Sequence, residues 1–154
     1  MSQNGVGVDL ETSLGYLLKE ASSALRAAME AVLRPLGMTV THYSCLELLA
    51  QRPGLSNSEL ARGAFVTRQS MNVLLQGLER DGYVTRPAEA RIGKVLPTQL
   101  TPRGRRSLEE ATVAVRSVEV RMLGGLSQEE RSAAYKILRS MIQSLRNEEG
   151  EPQR

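Results

Sequence analysis

A single cysteine, Cys45, in 154 residues leaves no partner for an internal disulfide, which fits a reducing cytoplasm. With His42 the lone histidine, the chain also lacks the ligands of an ordinary structural zinc site. Tryptophan is absent and aromatics reach only 3%, so stacking platforms for single-stranded nucleic acid are not expected. No apolar run approaches the ~18 residues of a membrane span. The N-terminus, Met1 to Ser13, lacks the charged start and apolar stretch of a secretory signal. Signs of catalysis are missing as well: there is no Gly-rich phosphate loop, no metal ligand set and no Cys/His/Asp constellation. His42 and Cys45 stand three apart on one expected helix, but nothing recognisable would orient them as a nucleophile pair. Neither an enzyme nor a cofactor is expected.

What is present begins with size. At 41% hydrophobic, the chain can bury one core and is most simply a single domain, 1–154, of mainly α class. An apolar stripe at helical spacing (Leu14, Leu17, Leu18, Ala21, Leu25, Ala28, Met29, Val32) predicts a helix over 10–34, ended by Pro35 and Gly37. Thr39 is the N-cap of the next helix, with His42 placed to fold back on the cap and Tyr43, Leu46, Leu49 and Ala50 on its apolar face.

The centre of the chain is more informative. Ser56-Asn-Ser-Glu59 is a capping box that opens a short helix, with Leu60 and Ala61 inward and Gly63 expected to end it in a left-handed conformation. Thr67 caps a second helix whose Met71, Leu74, Leu75 and Leu78 form one stripe. Off that stripe stand Arg68, Gln69, Ser70 and Asn72, residue types that hydrogen-bond base edges and phosphates, at the end of a helix that would enter a major groove. Ser, Gln and Asn are weak choices for a face that need only be soluble. Asp81-Gly82 then turns the chain into a short strand, Tyr83 to Arg86. The pattern is a helix-turn-helix followed by a wing.

The wing stretch has two extended segments around Arg91–Lys94, with Pro97 placing the second at an edge or bulge. Such a basic hairpin is suited to a minor groove or a phosphate row. Charge concentrates accordingly. Residues 52–106 carry 10 Lys and Arg against 4 Asp and Glu, a net +6, while the remainder carries 10 against 13, a net −3. Double-stranded DNA would meet the positive segment first.

Thr101-Pro102 opens a further helix to about residue 123, Gly124-Gly125 breaks it, and the capping box Ser127 to Glu130 starts the last. Those helices and the first are more apolar than one small winged domain requires, which points to a homodimer. Two symmetric recognition helices about 34 Å apart would read a palindrome.

In this order of elements the chain resembles the MarR (multiple antibiotic resistance regulator) family over roughly residues 10–146. The strongest matches are Leu55-Ser56 with Glu59 to Ala61, Thr67 to Leu78, Leu78 to Val84 ending in Arg86, and Leu100 to Pro102 with Gly104. The resemblance implies a winged-helix repressor: a lobe over 39–101 that binds DNA, and dimerisation helices over 10–34 and 102–146. It also implies a small effector, often phenolic, that releases the DNA, in a pocket where Tyr16, His42 and Tyr43 could gather; such polar aromatics suit a small aromatic acid. Two departures stand in the wing. The family usually carries Asp-x-Arg before the last wing strand, where this chain has Ile92 and Lys94, so Arg91 becomes a candidate for the minor groove; Pro97 is the other. The family's redox sensors place their cysteine in the first helix. Cys45 lies in the second, among leucines, and is expected to be a buried structural thiol. An alternative is a winged-helix protein-interaction module that does not touch DNA.

Overall fold

The computed structural model describes residues 7–86 and 98–147. Six helices and a two-stranded ribbon follow in order: α1 (Leu14–Leu33), a 3-10 turn (Arg34–Leu36), α2 (Val40–Gln51), α3 (Asn57–Gly63), α4 (Arg68–Arg80), β1 (Val84–Thr85), β2 (Gln99–Leu100), α5 (Pro102–Leu123) and α6 (Gln128–Asn147). The fold is mainly helical with a small antiparallel sheet, a winged helix. The chain divides into two compact units at Val118. Among the described residues, no helix is long and apolar enough to cross a membrane.

Most helix starts are set by one side chain each. Thr39 Oγ1 accepts from the His42 N–H, and Thr67 Oγ1 from the Ser70 N–H. Ser56 with Glu59 and Ser127 with Glu130 form the reciprocal bonds of capping boxes. The first helix starts later than the apolar pattern predicts. Ser13 accepts from the Tyr16 N–H as N-cap, and Asp9 holds the preceding residues in a turn through its carbonyl and carboxylate oxygens. At the other end Pro35 is taken into the 3-10 turn, and Gly37 makes the stop at φ 70°.

The core of the first unit is built from Leu33, Cys45, Leu46, Leu60, Met71 and Leu75, all fully buried, with Leu78, Val84 and Ala111 around them. On α2 the buried face is Cys45, Leu46 and Leu49, while Ala50, expected on it, is exposed. Leu49 stands three residues after Leu46 and four after Cys45, which closes the stripe one position before Ala50.

The turn of the helix-turn-helix corrects another expectation. Gly63 is still helical, and it is Phe65 that takes the left-handed backbone, at φ 59° and 89% exposed. Gly63 serves close approach instead: a Cβ there would stand 2.9 Å from Leu48 Cδ1 and push that side chain aside, so glycine eases the closing of α3 onto α2. At the end of α4, Gly82 at φ 83° lets the Tyr83 N–H reach back to the Leu78 carbonyl, which stops the helix and aims the chain into β1. Val84 pairs with Leu100 and Thr85 with Gln99. Among the described residues these two pairs are too few to hold the ribbon alone. The ribbon is held at its base by Thr101, whose N–H donates to the Tyr83 carbonyl and whose hydroxyl donates to the Gly82 carbonyl at 2.6 Å. The same oxygen accepts from the Gly104 N–H and so caps α5, with Pro102 as its first residue.

Two glycine exchanges should move stability in opposite directions. A Cβ on Gly104 would lie 2.1 Å from the Tyr83 carbonyl oxygen, so Gly104→Ala should destabilise by roughly 3 kcal/mol. Phe65→Gly removes a left-handed bulky residue with no packing to lose, and should stabilise by about 1 kcal/mol once the looser unfolded chain is included. Urea unfolding at fixed protein concentration checks both.

Candidate nucleic-acid interface

With Met71, Leu75 and Leu78 turned into the core, the opposite face of α4 stands clear of the protein. That outer face carries Gln69, Asn72, Val73 and Gln76, at i, i+3, i+4 and i+7, and all four are exposed. Arg68 and Arg80 bound it at either end, and both are exposed. From Gln69 to Gln76 the face holds no charge; beyond it Arg80 pairs with Asp81 at 3.5 Å and the exposed Glu79 with Arg86 at 3.8 Å. The face offers amide groups and one apolar side chain between two cations, a set that matches base edges between phosphate rows. Val73 and Gln76 were missed in the sequence, where attention went to the first polar turn; continuing the Gln69 spacing by seven would have found Gln76.

Two of the expected residues already have partners in the protein. Asn72 Oδ1 accepts from Asn57 Nδ2 at 2.8 Å, a bond between the start of α3 and the middle of α4. It leaves the Asn72 NH2 group to donate outward and fixes which way the amide points. Ser70 Oγ accepts from the Thr67 hydroxyl at 2.9 Å, beside the cap itself, and keeps its own proton to give. Arg91 and Lys94, with Ile92 and Pro97, lie outside the described residues.

The expected effector residues are placed as follows. Tyr16 is exposed on the first turn of α1. His42 and Tyr43, neighbours on α2, meet different surroundings. The His42 ring lies edge-on to Tyr83, centroids 5.2 Å apart, and so packs at the ribbon base and not back on its cap. The Arg103 guanidinium also packs on Tyr83, 4.8 Å from the ring centre. His42 Nε2 is buried without a hydrogen-bond partner, and burial lowers its pKa, with the Asp81 carboxylate acting the other way. Tyr43 is half-buried; burial and the Glu47 carboxylate raise its phenol, and a hydrogen bond with Thr112 of α5 opposes them. Cys45 is fully buried in the core, and desolvation pushes its thiol up to about 12, Arg86 offsetting only part. A thiol so protonated is inert. Among the described residues no cluster of His, Cys, Asp and Glu could hold a metal ion.

A short capped helix packed on α2, a second helix presenting a clear polar face, and a ribbon pinned to the following helix together define a winged helix-turn-helix protein. The MarR family profile matches residues 36–91. The HTH-type transcriptional repressor Rv2887 of Mycobacterium tuberculosis is 40% identical over 136 residues, 88% of this chain and 98% of that protein. Solved structures of the same M. tuberculosis protein superpose on this chain. Its complex with salicylic acid gives a TM-score of 0.71 at 42% identity, covering 84% of this chain and 96% of that one. Its complex with DNA gives 0.70 at 40%, covering 84% and 98%. The chain belongs to the MarR family.

His42 makes the fold sensitive to mild acid. Its folded pKa lies below the ordinary 6.5, so the unfolded chain binds the proton more readily. Stability is therefore complete above 6.5 and declines as pH falls from there toward the folded value. As the only histidine, it can be isolated: His42→Gln should flatten the fall in urea midpoint between neutral pH and the onset of carboxylate titration.

Proposed function

We propose that this chain is a cytoplasmic, homodimeric repressor of transcription that holds a palindromic operator through α4 in the major groove and the wing at the minor groove, and releases it to a small aromatic acid. The observation that carries the reading is the outer face of α4: uncharged hydrogen-bonding groups held clear of the core, one amide fixed by Asn57, between flanking arginines. The M. tuberculosis relative, a repressor solved with DNA, supports it. Arg68, Gln69, Ser70 and Asn72 are the base and phosphate contacts of this reading, with Arg91 and Lys94 in the wing.

A second copy of the chain accounts for apolar surface that folding leaves uncovered. On α1, Leu14, Leu17 and Leu18 are exposed; on α6, Tyr135, Ile137, Leu138, Ile142 and Leu145 are. Rows of this kind on two helices exceed the scattered apolar residues of an ordinary surface. The relative's complex with salicylic acid supports the effector class. Tyr43, half-buried at α2 beside Thr112, is the best placed of Tyr16, His42 and Tyr43 to feel a ligand and pass the effect to the winged lobe.

Light scattering at micromolar concentration should return twice the 16.9 kDa chain mass, and a charge at Ile137 or Leu138 should lower it. On DNA, Gln69→Ala or Asn72→Ala should weaken binding to a selected operator by ~1–3 kcal/mol while sparing random sequence. Arg91→Ala or Lys94→Ala should weaken both and flatten the dependence on salt. Salicylate should lower operator affinity about 5-fold or more, and Tyr43→Phe should reduce that response. Equal effects of all four DNA-facing substitutions on both DNAs would refute the placement of α4.

A further inference from the structure

Val73 is 65% exposed in the middle of α4, on the line of Gln69, Asn72 and Gln76. A β-branched side chain at an exposed helix position slightly disfavours the helix and here packs on nothing in the core. Val73 lines a shallow groove with Thr41, Gln69, Ser70 and Leu74, where Leu74 is its one apolar neighbour, and the Asn72 amide precedes it on the helix. We propose that Val73 reads the C5-methyl group of a thymine, which makes the base pair beneath the middle of α4 an A·T pair. The inference rests on the DNA-binding reading given above and names what its reading surface recognises.

The chemistry of the groove narrows the choice to one group. Among the edges exposed in the major groove, guanine shows two acceptors, adenine an acceptor and a donor, and cytosine an amino donor; only thymine adds an apolar methyl. A valine can neither give nor accept a hydrogen bond. Set against any other edge, it would strip water from a polar atom and return nothing, which excludes those bases as firmly as the methyl contact favours thymine. Rigidity adds to this. Valine in a helix holds essentially one rotamer, and Asn72 next to it is held by Asn57, so methyl and amide present a fixed pattern before DNA arrives. The exposed Arg68, with Arg80 beyond it in a solvent-exposed pair with Asp81, matches a polyanion and argues against an apolar protein partner seated on this face.

The test uses the full chain and a duplex that it selects from a random-sequence pool. Each thymine of one half-site is replaced in turn by deoxyuridine, which removes the methyl and nothing else. Wild-type protein should lose roughly fourfold in affinity at one position, the worth of one buried methyl. Val73→Ala should bind the selected duplex more weakly and show no loss at that position, while keeping any loss at other thymines. Its urea midpoint should not fall, since the side chain is exposed and alanine favours a helix. If no deoxyuridine position responds to Val73→Ala while Asn72→Ala still loses operator binding, the methyl contact is wrong and the placement of α4 stands. If wild-type protein selects no sequence at all, the DNA-binding reading falls and the contact with it.

Discussion

The winged lobe depends on how one backbone stretch, Gly82-Tyr83, is gripped. Thr101 takes both carbonyls, and Gly104 brings the first turn of α5 so near the Tyr83 carbonyl that no side chain fits between. These bonds go to backbone atoms, so they specify position and not merely proximity. The Tyr83 ring extends the junction, meeting both the His42 ring from α2 and the Arg103 guanidinium from α5. The exit of α4, the start of the ribbon, α2 and α5 therefore meet at one tyrosine. The two described residue pairs of the ribbon adjoin this junction directly and take their direction from it.

The same junction sets what α4 is free to do. Its C-terminal end is stopped by Gly82 and locked to α5 through Thr101; its N-terminal end is capped by Thr67 and tied to α3 through Asn57 and Asn72. Between those ends Met71, Leu75 and Leu78 are buried, Leu74 is partly buried, and the outward face carries only residues that the fold does not need for packing. A helix fixed at both ends and along one face has a single orientation to offer.

Local features were legible in the sequence because their physics is local. Thr39, Ser56, Thr67, Thr101 and Ser127 were each assigned as caps from residues no more than three positions away, and each caps a helix in the structure. The failures are where two distant segments decide. Gly63 reads as a left-handed turn residue, but it is helical and lies against Leu48, fifteen residues earlier, while Phe65 bears the strained backbone. The bond from Asn57 to Asn72 spans fifteen residues and leaves no periodic trace. His42 was expected to turn to its own cap, and Tyr83, forty-one residues on, draws it the other way. Candidate site residues on α4 were found by type, while Val73 and Gln76 were passed over because valine looks like core and the face was read for one turn only.

Preorganisation is what links this fold to recognition. A long polar side chain that must be immobilised on binding gives up about 0.5–1.5 kcal/mol of freedom, enough to cancel a neutral hydrogen bond. Asn72 has given that up already, to Asn57, when the protein folds. Val73 has almost none to give, its rotamer being set by the helix. In the DNA-binding reading proposed above, selectivity among sequences comes from short, rigid groups at the centre of α4, and the long arginines at its ends supply attraction that any duplex satisfies. The exposed valine is thus better understood as the companion of a fixed amide than as an imperfection of an otherwise polar face.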